Sequence, residues 1–550
     1  MEFLTSNSLR HSQRAPLALK VIALITAFLF ACPGLYLVWR NITSDSDPLG
    51  LLFSEQTLSP LMRTVNLTVL VTLSAAILGT GLAWLTIRTD LPSRRILKIV
   101  LPLPLVFPTF VGAAAFIRTL NPGGLANDLV EKIGIDKTLE LHGLFGAWLV
   151  LTLFTYPYVY LPIAARLKNL PISLEESARL LGDSSWATFR KVILPQIASS
   201  LLAGSLLVFL YTISDFGAVQ LMRYDTLTRA IWTTRLSNQP VSFALALILL
   251  SFAAIAVIIE TLLSRRFRKP DITTQAEIVL TPLNKWKKPA IAASWIIVFL
   301  ALITPTIALG DWAADGLLRE FRGGRPLFIE FEDIIKPTIN TAWVSMLTAI
   351  IAAAIVLPVS YLVAKYRSSI GNTANAVMTS TFAMPGLLIA LSMFFWTLRT
   401  SWAAEHLRGT IVILIFAYLV RFSAQALAPA RAAVASIPAS LEDASQVLGA
   451  SKVKRFFTVD LPVVTPGLLA GSGLVLMSTM KELPITLLVA PFEFPTLTTK
   501  IFQSFEDAFV AEGGLLALIL VLLSAVLTWI LVIRRSDHVS YTHLTLNTKA

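Results

Sequence analysis

The chain has 550 residues, of which 55% are hydrophobic and only 14% charged, with 45 Lys and Arg against 33 Asp and Glu and a mean hydropathy of +0.72. That balance excludes a string of soluble domains and indicates a chain that spans lipid. The single cysteine, Cys32, excludes a disulfide framework or a cysteine metal site built within the chain.

Crossing a hydrocarbon layer of ~30 Å takes about 20 apolar residues in a helix. Taken in order, apolar windows bounded by charges predict spans at 21–39, 64–87, 99–117, 144–164, 196–221 and 241–263. The first follows Arg10, Arg14 and Lys20 in the manner of a signal peptide, but its length and the spans behind it predict an uncleaved first helix. A second set of six is predicted at 290–309, 341–364, 377–398, 410–420 (running on past Arg421 to 428), 463–490 and 514–533. The expectation is an all-α polytopic membrane protein of twelve helices in two six-helix halves. A first domain at 1–263 and a second at 290–550 are joined by a basic linker at 264–289. Pro102, Pro104, Pro108, Pro157, Pro162, Pro358 and Pro385 fall inside spans and are candidate kink points.

Positive charge gathers on one side of such a protein. With the N-terminus inside, inner segments collect 29 Lys and Arg and outer loops 15, with Lys481 within a span, while nineteen acidic residues fall outside. Both termini are therefore expected in the cytoplasm. The net charge of +12 reads as sidedness toward a lipid bilayer, not as a nucleic-acid footprint. Six crossings per half make the two halves parallel repeats.

A duplication supports this layout. Residues 171–205 and 438–472, 267 positions apart, agree at sixteen of thirty-five positions without a gap, a fixed-offset match that marks a repeated unit. The likeness extends to Thr64 and Asn66 against Thr338 and Asn340, to Pro108 against Pro385, and to 224–232 against 494–502. Each loop is expected to hold a short helix with Ser173 or Ser440 at its N-cap, Glu176 or Asp443 completing a capping box, and Gly182 or Gly449 ending it left-handed. A second helical stretch then runs to Leu194-Pro195 or Leu461-Pro462, where the chain is expected to turn into the membrane. A two-turn helix is too short to be stable alone, so each copy needs a surface to lie on.

The pattern Glu176-x-Ala178, then Gly182, Val192, Leu194 and Pro195, repeated as Asp443, Gly449, Val459, Leu461 and Pro462 with Ser445 at the alanine position, resembles the EAA loop of ABC importer permease subunits. The segments 214–228 and 480–488 further resemble fused two-domain ferric iron permeases, a group close to thiamine and sulfate-type permeases. The resemblance implies a type I importer (MetI-like) fold. It implies that loops 165–195 and 429–462 couple to two copies of an ATP-binding subunit through Glu175, Glu176, Ala178, Gly182, Leu194 and Pro195, and through Glu442, Asp443, Gly449, Leu461 and Pro462. It also implies a periplasmic substrate-binding protein as partner and a bacterial inner membrane as location.

No G-x-x-x-x-G-K-[ST] loop, nor any Gly-Lys dipeptide, occurs. ATP and magnesium are therefore expected on the partner subunit, with no cofactor bound here and no catalytic residue. Asp215 aligns with Glu482, and Lys481 with Ser214. The two carboxylates are candidates to line the path of a hard cation, since ferric ion prefers oxygen ligands. No metal site is assigned. The alternative is that they lie at outer helix ends, in water or paired with Lys481 or an arginine, because Asp215 is 19 residues past Gln196, about 29 Å of helix. Other readings are an importer permease for thiamine, a sulfate-type anion or a polyamine, and an ion-coupled secondary transporter of two six-helix halves.

Overall fold

The computed structural model describes residues 15–43, 54–121, 140–171, 173–267, 280–318 and 327–528, together with residues 50, 124, 125 and 127. The middle of the linker (268–279), both chain ends and the basic residues they carry lie outside the described residues. Among the described residues the chain is helical, and the one extended pairing is a bridge between Thr89 and Thr281. Nine helices among the described residues are long and apolar enough to cross a membrane, and twelve spans result if each of three bent pairs counts as one.

Most of the expected spans start or end several residues further out, and residues 529–533 of the expected twelfth lie outside the described residues. The first is Leu17–Thr43, the second Glu55–Arg88, the fourth Gly143–Lys168, the sixth Gln239–Phe267, the seventh Asn284–Leu317, the eighth Phe331–Ala364 and the twelfth Val510–Thr528. Three departures matter. The third span is not one rod but Arg94–Val106 followed by Thr109–Leu120 at 99°; the ninth is Ser369–Ala383 followed by Gly386–Arg399 at 101°; the tenth, Ile411–Phe422 and Ala424–Ala435, bends by 62°. The fifth and eleventh stop earlier than predicted, at Ser214 and Met480, and short helices Gly217–Leu221 and Pro484–Val489 follow. Of the prolines, Pro108 and Pro385 sit at the two sharp breaks and Pro157 opens a new helical segment. Pro162 and Pro358 lie inside unbroken helices.

The halves are built alike. Gly204 in the fifth span meets Tyr158 and Val159 backbone of the fourth, where an added Cβ would stand 2.8 Å from the Tyr158 carbonyl oxygen. Gly471, 267 positions later, meets Ala426 of the tenth at the same 2.8 Å. Small residues at such crossings let helices pack closely without polar glue. The outer helices, Leu227–Thr234 and Leu497–Glu506, are hung identically: the Leu227 amide donates to Thr64 Oγ1 and the Leu497 amide to Thr341 Oγ1, both at 2.8 Å. Thr341 is therefore the structural counterpart of Thr64, not Thr338, which the residue pattern had paired with it. The halves also embrace: the first span packs on both segments of the ninth, and the seventh on Thr109–Leu120 of the third. Across this seam Arg118 reaches Asp311 at 2.8 Å and the rings of Phe243 and Phe395 lie 5.3 Å apart.

The repeated loops fold as equivalent hooks, with two corrections. Ser173 is the first residue of the helix Ser173–Leu180, whereas Ser440 lies inside the helix Ala439–Val447, whose N-cap is Pro438 with no side-chain cap bond. The serine capping box does not form there because the helix starts before its serine. Nor does the chain turn at Leu194-Pro195 or Leu461-Pro462. A π-turn, Phe189–Ile193 or Phe456–Asp460, carries the helix straight on into the span. Proline has no N–H for the helix ladder and its ring crowds the preceding turn, and a π-bulge just before it absorbs that misfit.

The C-terminal stops hold as expected. Gly182 has φ +90° and Gly449 φ +72°. The amide of Asp183 reaches back to the Ala178 carbonyl and that of Ala450 to the Ser445 carbonyl, at 3.0 and 2.9 Å, the Schellman closure in both copies. A Cβ at either glycine would meet nothing within 4 Å, so substitution acts through the backbone alone. Gly449→Ala is expected to cost about 1–2 kcal/mol locally. Hydrogen–deuterium exchange at the Ala450 amide should then rise roughly tenfold while the spans stay protected.

Candidate functional site

Breaking a helix exposes backbone groups. Pro108 and Pro385 force the residues before them, Phe107 (ψ 132°) and Met384 (ψ 122°), into extended conformations. The segments on either side then lose their mutual hydrogen bonds, leaving carbonyls at one end and amides at the other. In lipid each of these needs a partner from the protein. Here ionisable side chains stand at both breaks, and they meet around one cavity of about 120 Å³ between the halves.

At the break of the third span, Lys481 Nζ donates to the Leu105 carbonyl at 2.5 Å, and the Thr109 hydroxyl donates to Asp215 Oδ2 at 2.5 Å. At the break of the ninth, Arg421 Nη1 donates to the carbonyls of Phe382 (2.7 Å) and Met384, and Nη2 to Ser214 Oγ at 3.3 Å. Glu482 stands at the opening of Gly386–Arg399, its Oε1 2.6 Å from where a Cβ on Gly386 would be, so glycine makes room for the carboxylate. Each break thus has a cation on its carbonyl end and an acid at its amide end, the arrangement that helix dipoles favour.

The acids have a second duty. Asp215 Oδ1 accepts from the Ala218 and Val219 amides at 3.0 and 3.4 Å, and Glu482 Oε1 from the Ile485 amide at 3.3 Å. Each therefore caps the short helix after its span. Thr228 and Thr498 donate to the Asp215 and Glu482 carbonyls at 2.7 and 3.1 Å. The repeated Thr-Leu-Thr of the outer loops thereby holds both acids in place.

Asp215 is accordingly buried, at 8% exposure, and faces the cavity with Lys481 and Glu482. The alternative of an acid standing in water does not hold for Asp215, which is buried where the fifth span ends at Ser214. Sequence reasoning brought these three together correctly and missed Arg421, Thr109, Tyr158 and Tyr211, which also line the cavity. The only sequence signal of Arg421 is a cation interrupting an apolar run. Both cations belong to the second half, since Ser214 stands at the first-half counterpart of Lys481 and Phe154 at that of Arg421.

The loop residues divide by face. Glu175, Ala178 and Ser445 turn inward, at 7%, 6% and 6% exposure. Glu176 and Asp443, with Gly182 and Gly449, turn outward, and Leu194, Pro195, Leu461 and Pro462 lie at the root where each loop becomes a span. The side chain of Glu442 lies outside the described residues. Two matched apolar tips stand uncovered: Leu180 and Leu181 at 88% and 87%, Val447 and Leu448 at 87% and 84%. Paired apolar tips on polar hooks are what a docking surface requires.

Residues 75–269 and again 356–537 match the family described as the inner membrane component of binding-protein-dependent transport systems. The chain belongs to this family. Among curated relatives, this permease is 28% identical to the Fe(3+)-transport system permease protein FbpB 2 of Haemophilus influenzae, over 94% of its own length and 98% of that protein's. It is 27% identical to a probable sulfate transport system permease protein of Marchantia polymorpha over 40% of the chain and 76% of that protein. With a probable molybdenum ABC transporter permease protein of Haloferax volcanii the identity is 29% over 38% and 75%. The permease is thus a multi-pass membrane component of an ABC importer, with the family's membrane unit present twice.

Arg421 is the partner of two broken-helix carbonyls, and Arg421→Met would orphan both. The expected loss is about 2 kcal/mol, read as a lowered thermal midpoint of the detergent-purified permease. Arg421→Lys should recover only part of it, since one ammonium does not reproduce the guanidinium fork.

Proposed function

We propose that the permease alone forms the pathway for ferric iron, delivered by a periplasmic binding protein and driven inward by two copies of a separate ATP-binding subunit. It sits in a bacterial inner membrane with both termini in the cytoplasm and the two hooks on the cytoplasmic face. The observation that carries the importer reading is the pair of equivalent hooks with uncovered apolar tips on a chain matched twice by one permease family. Glu175, Glu176, Ala178, Gly182, Leu194 and Pro195 serve the first docking element, and Glu442, Asp443, Gly449, Leu461 and Pro462 the second. No phosphate-binding loop occurs in the sequence, which supports placing ATP and magnesium on the partner.

The iron reading draws on the relative of the same two-half length whose name specifies Fe(3+). Asp215 and Glu482 add two carboxylate ligands of the kind a hard cation takes. In this reading Lys481 and Arg421 hold the pathway closed by pinning the broken helices, and closure of the ATP-binding subunits, felt at the hooks, shifts the halves and frees the cavity. A second reading, an oxyanion as cargo, is favoured by the same two cations and by the sulfate and molybdenum relatives.

Co-purification tests the first claim. Wild type should bring down an ATP-binding subunit, and Gly182→Ala with Gly449→Ala should weaken that complex about tenfold. No subunit with wild type, or an undisturbed complex and transport in the variant, removes the coupling role. The cargo is decided by which ligand on the cognate binding protein stimulates ATP hydrolysis. Asp215→Asn with Glu482→Gln should cut iron uptake into vesicles by at least about tenfold; undiminished uptake removes the carboxylates from the path.

A further inference from the structure

The end of the second span is where three parts of the chain meet. Arg88 closes the Glu55–Arg88 helix, and its side chain is only 1% exposed. Its Nη1 lies 3.1 Å from the Glu175 carboxylate, and its Nη2 donates to the Leu170 carbonyl at 2.7 Å. Glu175 is on the inward face of the first hook's short helix, and Leu170 precedes that helix at the foot of the fourth span. A planar guanidinium serves both partners at once, which a point charge does not.

The next two residues carry the linker. The Thr281 amide donates to the Arg88 carbonyl at 2.8 Å and the Asp90 amide to the Thr281 carbonyl at 3.2 Å. The Asp90 carboxylate accepts from the Leu283 amide and from Lys287 Nζ, each at 2.9 Å. The Lys287 hydrogen bond, then the Leu283 amide, hold this carboxyl below its usual range. Residues 88–90 therefore join the hook helix, its foot and the start of the seventh span. In the register set by Thr64 and Thr341, the cation at the corresponding position of the second half is Lys365, which caps the eighth span just past Ala364.

We infer that Arg88 is a positioning residue for transmission: it fixes the pose of the Ser173–Leu180 helix against the second span and, through residues 89–90, ties that helix to the second half. A buried ion pair that loses one member leaves a charge that must find water. The helix then swings instead of merely losing a contact. This role rests on the coupling function proposed above.

Two readouts test it. In a Cys32→Ser background with a spin label at the exposed Ser177→Cys position, the permease alone reports the pose of the helix. Arg88→Met and Glu175→Gln should each raise label mobility, with the double variant no worse than either alone. In liposomes with the ATP-binding subunit and loaded binding protein, the same variants should lower cargo moved per ATP hydrolysed by roughly tenfold, and Arg88→Glu with Glu175→Arg should restore part of it. Unchanged mobility in Arg88→Met or Glu175→Gln overturns the positioning role, and so does an unchanged transport ratio. Should Arg88→Met fail to fold, the isosteric Glu175→Gln decides alone. A wild-type chain that recruits no ATP-binding subunit overturns the importer reading and the transmission role with it, while label mobility still decides whether Arg88 holds the helix.

Discussion

A helix interrupted within a membrane protein leaves dipoles that lipid will not satisfy, and the centre of this molecule is arranged around two such interruptions. Lys481 and Arg421 take the free carbonyls, while Asp215 accepts from the Thr109 hydroxyl and Glu482 stands against Gly386 at the two opening ends. Charges that would be costly in an apolar interior are stabilised because each faces a helix terminus of opposite polarity. The cavity exists because segments that turn by about a right angle cannot fill the space a straight helix would. One constraint therefore accounts for the break, the charges and the space between them.

The same economy fastens the halves. Lys481 is a second-half residue that completes a first-half helix, and Arg421 reaches the first half's Ser214. Further out, Arg118 crosses to Asp311, and at the hook-bearing side the linker is bound to the corner after the second span. A movement that separates the hooks must work against these ties in turn. A stimulus at the loops therefore has a physical route toward the cavity.

Much of this was legible in residues. Span count, the parallel repeat, the left-handed glycines and the pairing of Asp215 with Glu482 follow from apolar length, fixed offset and the chemistry of helix stops, all local or periodic signals. What was not legible is tertiary. Apolar windows do not reveal that the third and ninth spans bend, because hydropathy is blind to direction. Pro108 and Pro385 look no different in sequence from Pro162 and Pro358, which stay within unbroken helices. Arg421 reads as a flaw in an apolar run until Phe382 and Met384 are seen turning their carbonyls toward it. Thr338 and Thr341 compete for the role of Thr64, and only the amide of Leu497 selects between them.

The uneven ownership of the two cations has an effect on what the protein can become. Two copies of the first half would bring two acids and no arginine or lysine to the centre. Two copies of the second would bring two acids and four cations. Either way the charge balance seen at the two breaks is lost. Joining both in one polypeptide guarantees the one-to-one stoichiometry that this central balance demands.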